Sequence, residues 1–367
     1  MKNTDIQWAH STINPVMGCD GCELWPGKGK VVNDMVAAIK KLVGTVSSAP
    51  TTDMIREIVL RVIGNRQNSV IYAQRNDIAD TLANRFQLDK PAWIVLVDVI
   101  RSNMKCYAGL LGTMRADHKG YARQFEEPKL FAGRMAEAAK WDPPTAAERM
   151  AKPWLLTAPR MIFVSDMGDA LSKDIKFAFL KQEIIDVVAT PNGQQHLWLW
   201  LTKRPGRMAD FGNWLQEQGV SWPDNLVAMT TVTSQKTASR LNQLRQVPSR
   251  LKGLSCEPLF GKLRLDLTGI DWVITGGGSD TLAEPFRVEW ALDLHAQCQA
   301  SGTAFFLKQL GKNPVFNGRS LTLSHRHGGD WNEWPVPDWR TRDIPDAFLY
   351  SGYCEALTNR KPRLSVS

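Results

Sequence analysis

Three cysteines carry the first chemistry legible in the chain. Cys19 and Cys22 share a Gly-rich turn, Asn14-Pro15-Val16-Met17-Gly18-Cys19-Asp20-Gly21-Cys22, and Cys106 follows after 83 intervening residues in Lys105-Cys106-Tyr107-Ala108. Two thiolates separated by a two-residue turn can reach one metal ion or one edge of a cluster. A structural zinc normally takes four protein ligands. Three cysteines without an evident fourth suit an iron–sulfur cluster that keeps one iron open. Spacing alone leaves both readings standing.

The other candidate ligands read more plainly. Cys298 and Cys354 sit in helix-like contexts and are expected to be buried thiols. Cys256 ends an apolar run with no base beside it. His325-Arg326-His327 has metal-binding residue types but no cysteine near in sequence, so it reads as structural or exposed. Trp331, Trp334 and Trp339 lie in a Pro/Gly-rich tail, where packing onto the body is preferred over stacking on a base.

Composition bounds the setting for that chemistry. The 367 residues are 43% hydrophobic and 22% charged, which suits a globular chain with a large core. The longest apolar run, Ala92 to Val97, is cut by Asp98, so no membrane span is expected. The first residues lack the apolar centre of a signal peptide. Six cysteines are too sparse for a disulfide framework, which points to a reducing cytoplasm. A net charge of +8 favours a polyanionic partner such as nucleic acid.

The elements that must position these residues follow from periodicity. A short strand precedes the cysteine turn. Residues 27–104 then read as a helical insertion, with apolar positions at helical spacing from Val32 to Val43, from Met54 to Ile63 and around Ile78 to Phe86. Thr51 or Thr52 is the expected cap of the second helix, and Gly44 and Gly64 are stops. Ala73 to Leu82 has weak helix-turn-helix character, but a plain bundle with a basic face is the simpler reading.

Beyond about residue 150, apolar runs at 161–164, 197–201, 226–229, 251–255, 272–274 and 304–307 alternate with helical stretches at 177–188, 236–245 and 288–300. This pattern predicts an α/β fold with a parallel sheet, a full or partial (β/α) barrel, with a doubly wound sheet as the runner-up. The expected core is 1–26 with 105–345, and 346–367 is a C-terminal extension.

In either architecture the site lies at the C-terminal strand ends. Polar residues gather there: Ser165-Asp166, Asp169, Thr202-Lys203-Arg204, Thr230-Thr231, Cys256-Glu257, Gly276-Gly277-Gly278 and Lys308-Gln309. The glycines would let backbone approach a ligand, although no dinucleotide or Walker spacing follows. Lys203 suits a carboxylate or phosphate. Glu257 and Asp166 suit hydroxyl or amino groups, or ion pairs with Lys203 or Lys308.

Together these stretches resemble a phage-associated three-cysteine-motif family of radical-S-adenosylmethionine-like proteins. The likeness runs through Trp8 to Cys22, Cys106-Tyr107-Ala108, Arg160 to Asp169, Leu201 to Met208, Ser255 to Gly261, Asp271 to Gly277, Phe305 to Gly311 and Gly328 to Pro335. This chain departs from the family pattern in its third cysteine, which the helical insertion displaces. The resemblance implies a radical-SAM-type barrel whose Cys19, Cys22 and Cys106 hold a [4Fe–4S] cluster. It implies that Ser165, Asp166, Lys203, Glu257, Gly276 and Gly277 contact S-adenosylmethionine. Lys308, Gln309 and Glu257 would serve catalysis.

An electron donor such as flavodoxin or ferredoxin would be required. Phage association and basic charge point to DNA, with a hypermodified base such as a modified thymidine as substrate. Two other classes stay open: a zinc-containing nucleic-acid-binding protein without radical chemistry, and a cluster-free β/α hydrolase or transferase using Glu257 and Asp166.

Overall fold

The computed structural model of the protein describes residues 2–44, 49–116, 118–280, 283–336 and 341–349. Cys354, Trp339 and most of the expected C-terminal extension lie outside the described residues. The chain divides into two compact units. One comprises Met1–Pro15, Phe131–Asp166 and Asp174–Ser367; the other comprises Val16–Leu130 and Met167–Lys173.

The first unit is built on seven parallel strands: β1 (Ser11–Ile13), β2 (Arg160–Val164), β3 (His196–Thr202), β4 (Leu226–Thr231), β5 (Lys252–Cys256), β6 (Trp272–Gly276) and β7 (Ala304–Gln309). Their spatial order is their chain order, from β1 at one edge to β7 at the other. A doubly wound sheet reverses its order at a switch point; this one never does, and its architecture is that of a partial β/α barrel. Each strand expected from an apolar run is present. The runs are near-continuous because these strands are buried on both faces, as parallel strands between helices must be.

Side chains alternate across a strand, and the sheet uses both faces. Met161, Phe163, Leu197, Leu199, Val227, Met229, Trp272, Ile274 and Phe306 join Trp8 in one hydrophobic cluster. Stepping along that face by two residues to the C-terminal ends leads to Ser165, Lys203, Thr231, Ser255, Glu257, Gly276 and Lys308. A bulge between Leu307 and Gln309 then sets Gln309 opposite Gly276. The apolar core and the polar rim are thus one continuous face.

The opposite strand ends hold a buried polar clasp. Arg160 is fully buried and forms a two-pronged ion pair with Glu148, at 3.0 and 3.1 Å. Lys152 Nζ donates to the carbonyls of Thr4, Ile6 and Ala9 at 2.6–2.7 Å, tying down the segment before β1. His10 Nδ1 accepts the Met161 amide at 3.0 Å. Burial first, then the positive charges of Lys152, Arg160 and Arg149, push the pKa of His10 down to about 3, so it serves as a neutral acceptor.

The tail packs on the body through Arg342, whose guanidinium lies 4.0 Å from the Trp154 ring centre and 5.0 and 5.4 Å from those of Trp331 and Trp334. Such cation–π contacts gain when desolvated. Arg342 also donates to the carbonyls of Leu307 and Lys308. The two described tail tryptophans therefore have packing roles. In the same tail, His325 Nδ1 accepts the amides of His327 and Gly329, which makes it a turn-former.

The second unit is mainly helical: α1 (Lys28–Val43), α2 (Thr52–Ile63), α3 (Asn68–Ala73), α4 (Arg75–Arg85), α5 (Lys90–Ser102) and α6 (Tyr107–Met114). Thr51 caps α2 by accepting the Met54 amide. Only Gln74 separates α3 from α4, too little for the three- or four-residue turn of a helix-turn-helix. Among the described residues no helix is long and apolar enough to cross a membrane.

Candidate functional site

The cysteine loop belongs to the second unit and is held from three sides. Gly18 bridges to Gly168, its amide donates to the Met167 carbonyl at 3.2 Å, and its own carbonyl accepts from Asp169 at 3.1 Å. Gly18 has φ +91°, and a Cβ there would lie 2.6 Å from the Phe125 carbonyl oxygen; only glycine serves at this position. The Cys19 amide donates to that same carbonyl at 2.7 Å. Asp20 accepts the Lys173 amide at 3.0 Å.

The third side brings in Cys106. Cys22 and Trp25 exchange two backbone hydrogen bonds, of 3.2 and 3.0 Å. One residue before Trp25, the Leu24 carbonyl accepts the amides of both Lys105 and Cys106, each at 3.0 Å. After an excursion through α1 to α5, the chain thus returns to a residue two places from Cys22. Cys106 immediately precedes α6. That helix offers Gly109 to the Trp25 ring and Gly112 to Phe125, so the indole sits flush on the helix that follows the third cysteine.

Cys19 is buried, and Cys22 and Cys106 are half-buried. By chemistry the donor set fits an iron–sulfur cluster or another thiophilic metal. Among the described residues no three His, Cys, Asp or Glu side chains are grouped closely enough to hold a metal ion as they stand. The backbone brings Cys106 to the residue two places after Cys22.

The rim of the first unit carries the other predicted residues. Ser165 follows β2 at φ +74°, a region costly for a residue with a side chain. Its amide donates to the Ile13 carbonyl, and its buried Oγ has no hydrogen-bond partner. Thr231 Oγ1, at the end of β4, is likewise buried without a partner. Glu257 Oε2 accepts the Trp8 indole N–H at 3.3 Å. Its Oε1 stands 3.3 Å from Lys308 Nζ yet accepts no hydrogen bond of good geometry. A buried polar atom left without a hydrogen bond costs about 1–3 kcal/mol; Ser165 Oγ and Thr231 Oγ1 are two such atoms on this rim, while Glu257 Oε1 is compensated by the Lys308 charge.

Asp166 is buried, and that burial raises its pKa against the hydrogen bonds from Asn14 and Thr12. Lys203 is half-buried at the strand end. A Cβ on Gly276 would stand 2.8 Å from Glu257 Oε1, and one on Gly277 would stand 2.3 Å from the Leu310 carbonyl oxygen. The Gly277 amide is donated to the Gln309 carbonyl, and the Gly277 carbonyl accepts from Gln309 Nε2. These glycines therefore have a packing reason, making room for Glu257 and for β7. Burial pushes the Cys298 thiol up to about 12 and raises that of Cys256 too, so both are inert core thiols.

Trp8 and Asn14 support Glu257 and Asp166, which local sequence did not reveal because the partners are distant in the chain. The fold is that of an α/β protein with a partial barrel whose C-terminal strand ends carry polar residues. The chain belongs to the family described as "Protein of unknown function (DUF5131)", whose match covers residues 98–335. No curated protein and no solved structure matches it significantly.

Proposed function

We propose that the protein is a radical S-adenosylmethionine enzyme that rearranges or tailors a nucleobase of DNA, with a hypermodified thymidine of phage DNA as the leading substrate. The observation that carries this reading is the return of Cys106 to Leu24, 81 residues intervening. A chain that brings a third cysteine back to a closely spaced pair is equipping a three-thiol site, and three thiols leave a fourth iron open. A [4Fe–4S] cluster bound there would supply the single electron that cleaves the sulfonium of S-adenosylmethionine and yields a 5′-deoxyadenosyl radical.

The chain's own residues supply binding and a protected setting. Cys19, Cys22 and Cys106 would be the cluster ligands, and burial of Cys19 limits access of water and oxygen. On the rim, Ser165 Oγ has unmet hydrogen-bonding capacity for a hydroxyl or amino group, and Glu257 offers a carboxylate. Asp166 adds a carboxylate and Lys203 a cation suited to a carboxylate. Gly276 and Gly277 keep the backbone low beside them. Lys308 and Gln309, at the bulge of β7, would face the substrate, with Glu257 as the charge partner of Lys308. A flavodoxin or ferredoxin would deliver the electron. The net charge of +8 favours a DNA substrate, whose target base must leave the stack to meet buried chemistry.

The test is product formation. Anaerobic protein given dithionite and S-adenosylmethionine should release 5′-deoxyadenosine, and Cys106→Ala protein should release none. Iron-loaded wild-type protein that leaves S-adenosylmethionine intact would overturn the reading.

A further inference from the structure

The Trp25 indole N–H donates to Glu126 Oε1 at 2.7 Å, and the same carboxylate accepts the amide and the hydroxyl of Ser69 at 2.9 and 2.7 Å. One side chain therefore joins the residue that backbone-pairs with Cys22 to the first turn of α3. Beside it, Asn68 Nδ2 donates to the Pro26 carbonyl. Asn68, Ser69 and Trp25 are all buried, and charge-assisted hydrogen bonds of this length are the strong kind. The residue before Trp25 is Leu24, whose carbonyl fixes Lys105 and Cys106.

These contacts form a chain of positioning. We infer that Glu126 is a positioning residue for the three-thiol site, holding Trp25 so that the Leu24 carbonyl meets Cys106 and the thiols can close on one metal. This rests on the reading of the three cysteines as metal ligands. It makes the helical segment part of the metal site, because half of the latch is Ser69 on α3. Removing residues 27–104 would delete that half, so the segment cannot be excised without altering the cysteine loop.

The experiment is anaerobic titration of the metal-free full chain with cobalt(II), read by the thiolate-to-metal charge-transfer band, alongside urea unfolding of the same metal-free proteins. Wild type should bind with that band. Glu126→Gln keeps the size but loses the charge, and Glu126→Ala loses the latch; both should weaken cobalt binding by about 10–100-fold, the usual consequence of losing a group that orients a ligand. Ser69→Ala, which keeps the carboxylate and removes one of its donors, should weaken it less. Glu126→Gln should lower the urea midpoint but still unfold in one cooperative transition, which separates positioning from loss of fold. Unchanged affinity and band in Glu126→Gln and Ser69→Ala would overturn the inference. A wild-type chain with no charge-transfer band would instead overturn the three-thiol reading on which it rests.

Discussion

Valine at Gly109 should unfold the cysteine loop and, with it, abolish the metal binding proposed for its thiols. A Cβ at this position would lie 2.6–2.8 Å from three ring atoms of Trp25. The ring cannot retreat cheaply: it is 1% exposed, lies edge-on to Phe125 and is anchored to Glu126. Alanine gives the sharper sign test. At a mid-helix glycine, alanine normally stabilises by about 0.5–1 kcal/mol. Here overpacking should reverse the sign and cost about 1–3 kcal/mol, with valine costing more. Urea unfolding checks both variants. A Gly109→Ala protein more stable than wild type would show that Trp25 does not depend on a bare helix face.

The second large effect lies in the first unit, at the N-terminal ends of its strands. Glu148→Ala should destabilise the protein by about 3–5 kcal/mol, because removing one member of a buried pair strands the other charge. Arg160 has no exposed side-chain surface, whereas Glu148 is 20% exposed. Burial raises the Glu148 pKa, but hydrogen bonds from Arg160 and from Thr145 outweigh it and bring it down to about 2. A carboxylate whose pKa is depressed by folding stabilises fully above its unfolded value of about 4.5. That contribution is lost as pH falls through about 2. The gap between wild type and Glu148→Gln should therefore be widest above pH 4.5 and narrow toward pH 2. A gap that does not change with pH would contradict the ionic role of Glu148.

Sequence periodicity was enough for the sheet because each strand is a short apolar run closed by a polar residue, and both faces are covered. It was enough for α1, α2 and α4, whose apolar stripes repeat at helical spacing. It passed over α5, where Trp93 to Val97 is apolar without a stripe; Asp89, which accepts the Ala92 amide, and Pro91 in the first turn were the available signals. The polar rim was legible because every apolar run ends in hydrogen-bonding residues. The supports were not. Trp8 lies 249 residues from Glu257, and Asn14 lies 152 from Asp166. Pairings over such separations are set by topology, and no local pattern announces them. The same holds for Glu126, whose latch joins three segments that are remote in sequence.

The most direct test of the account is the iron and sulfide content and absorption spectrum of anaerobically purified protein, wild type beside Cys106→Ala. The account predicts a brown wild-type protein with about four irons and matching sulfide, as a cubane cluster requires, and a bleached variant. A colourless wild type that carries zinc or no metal would contradict it.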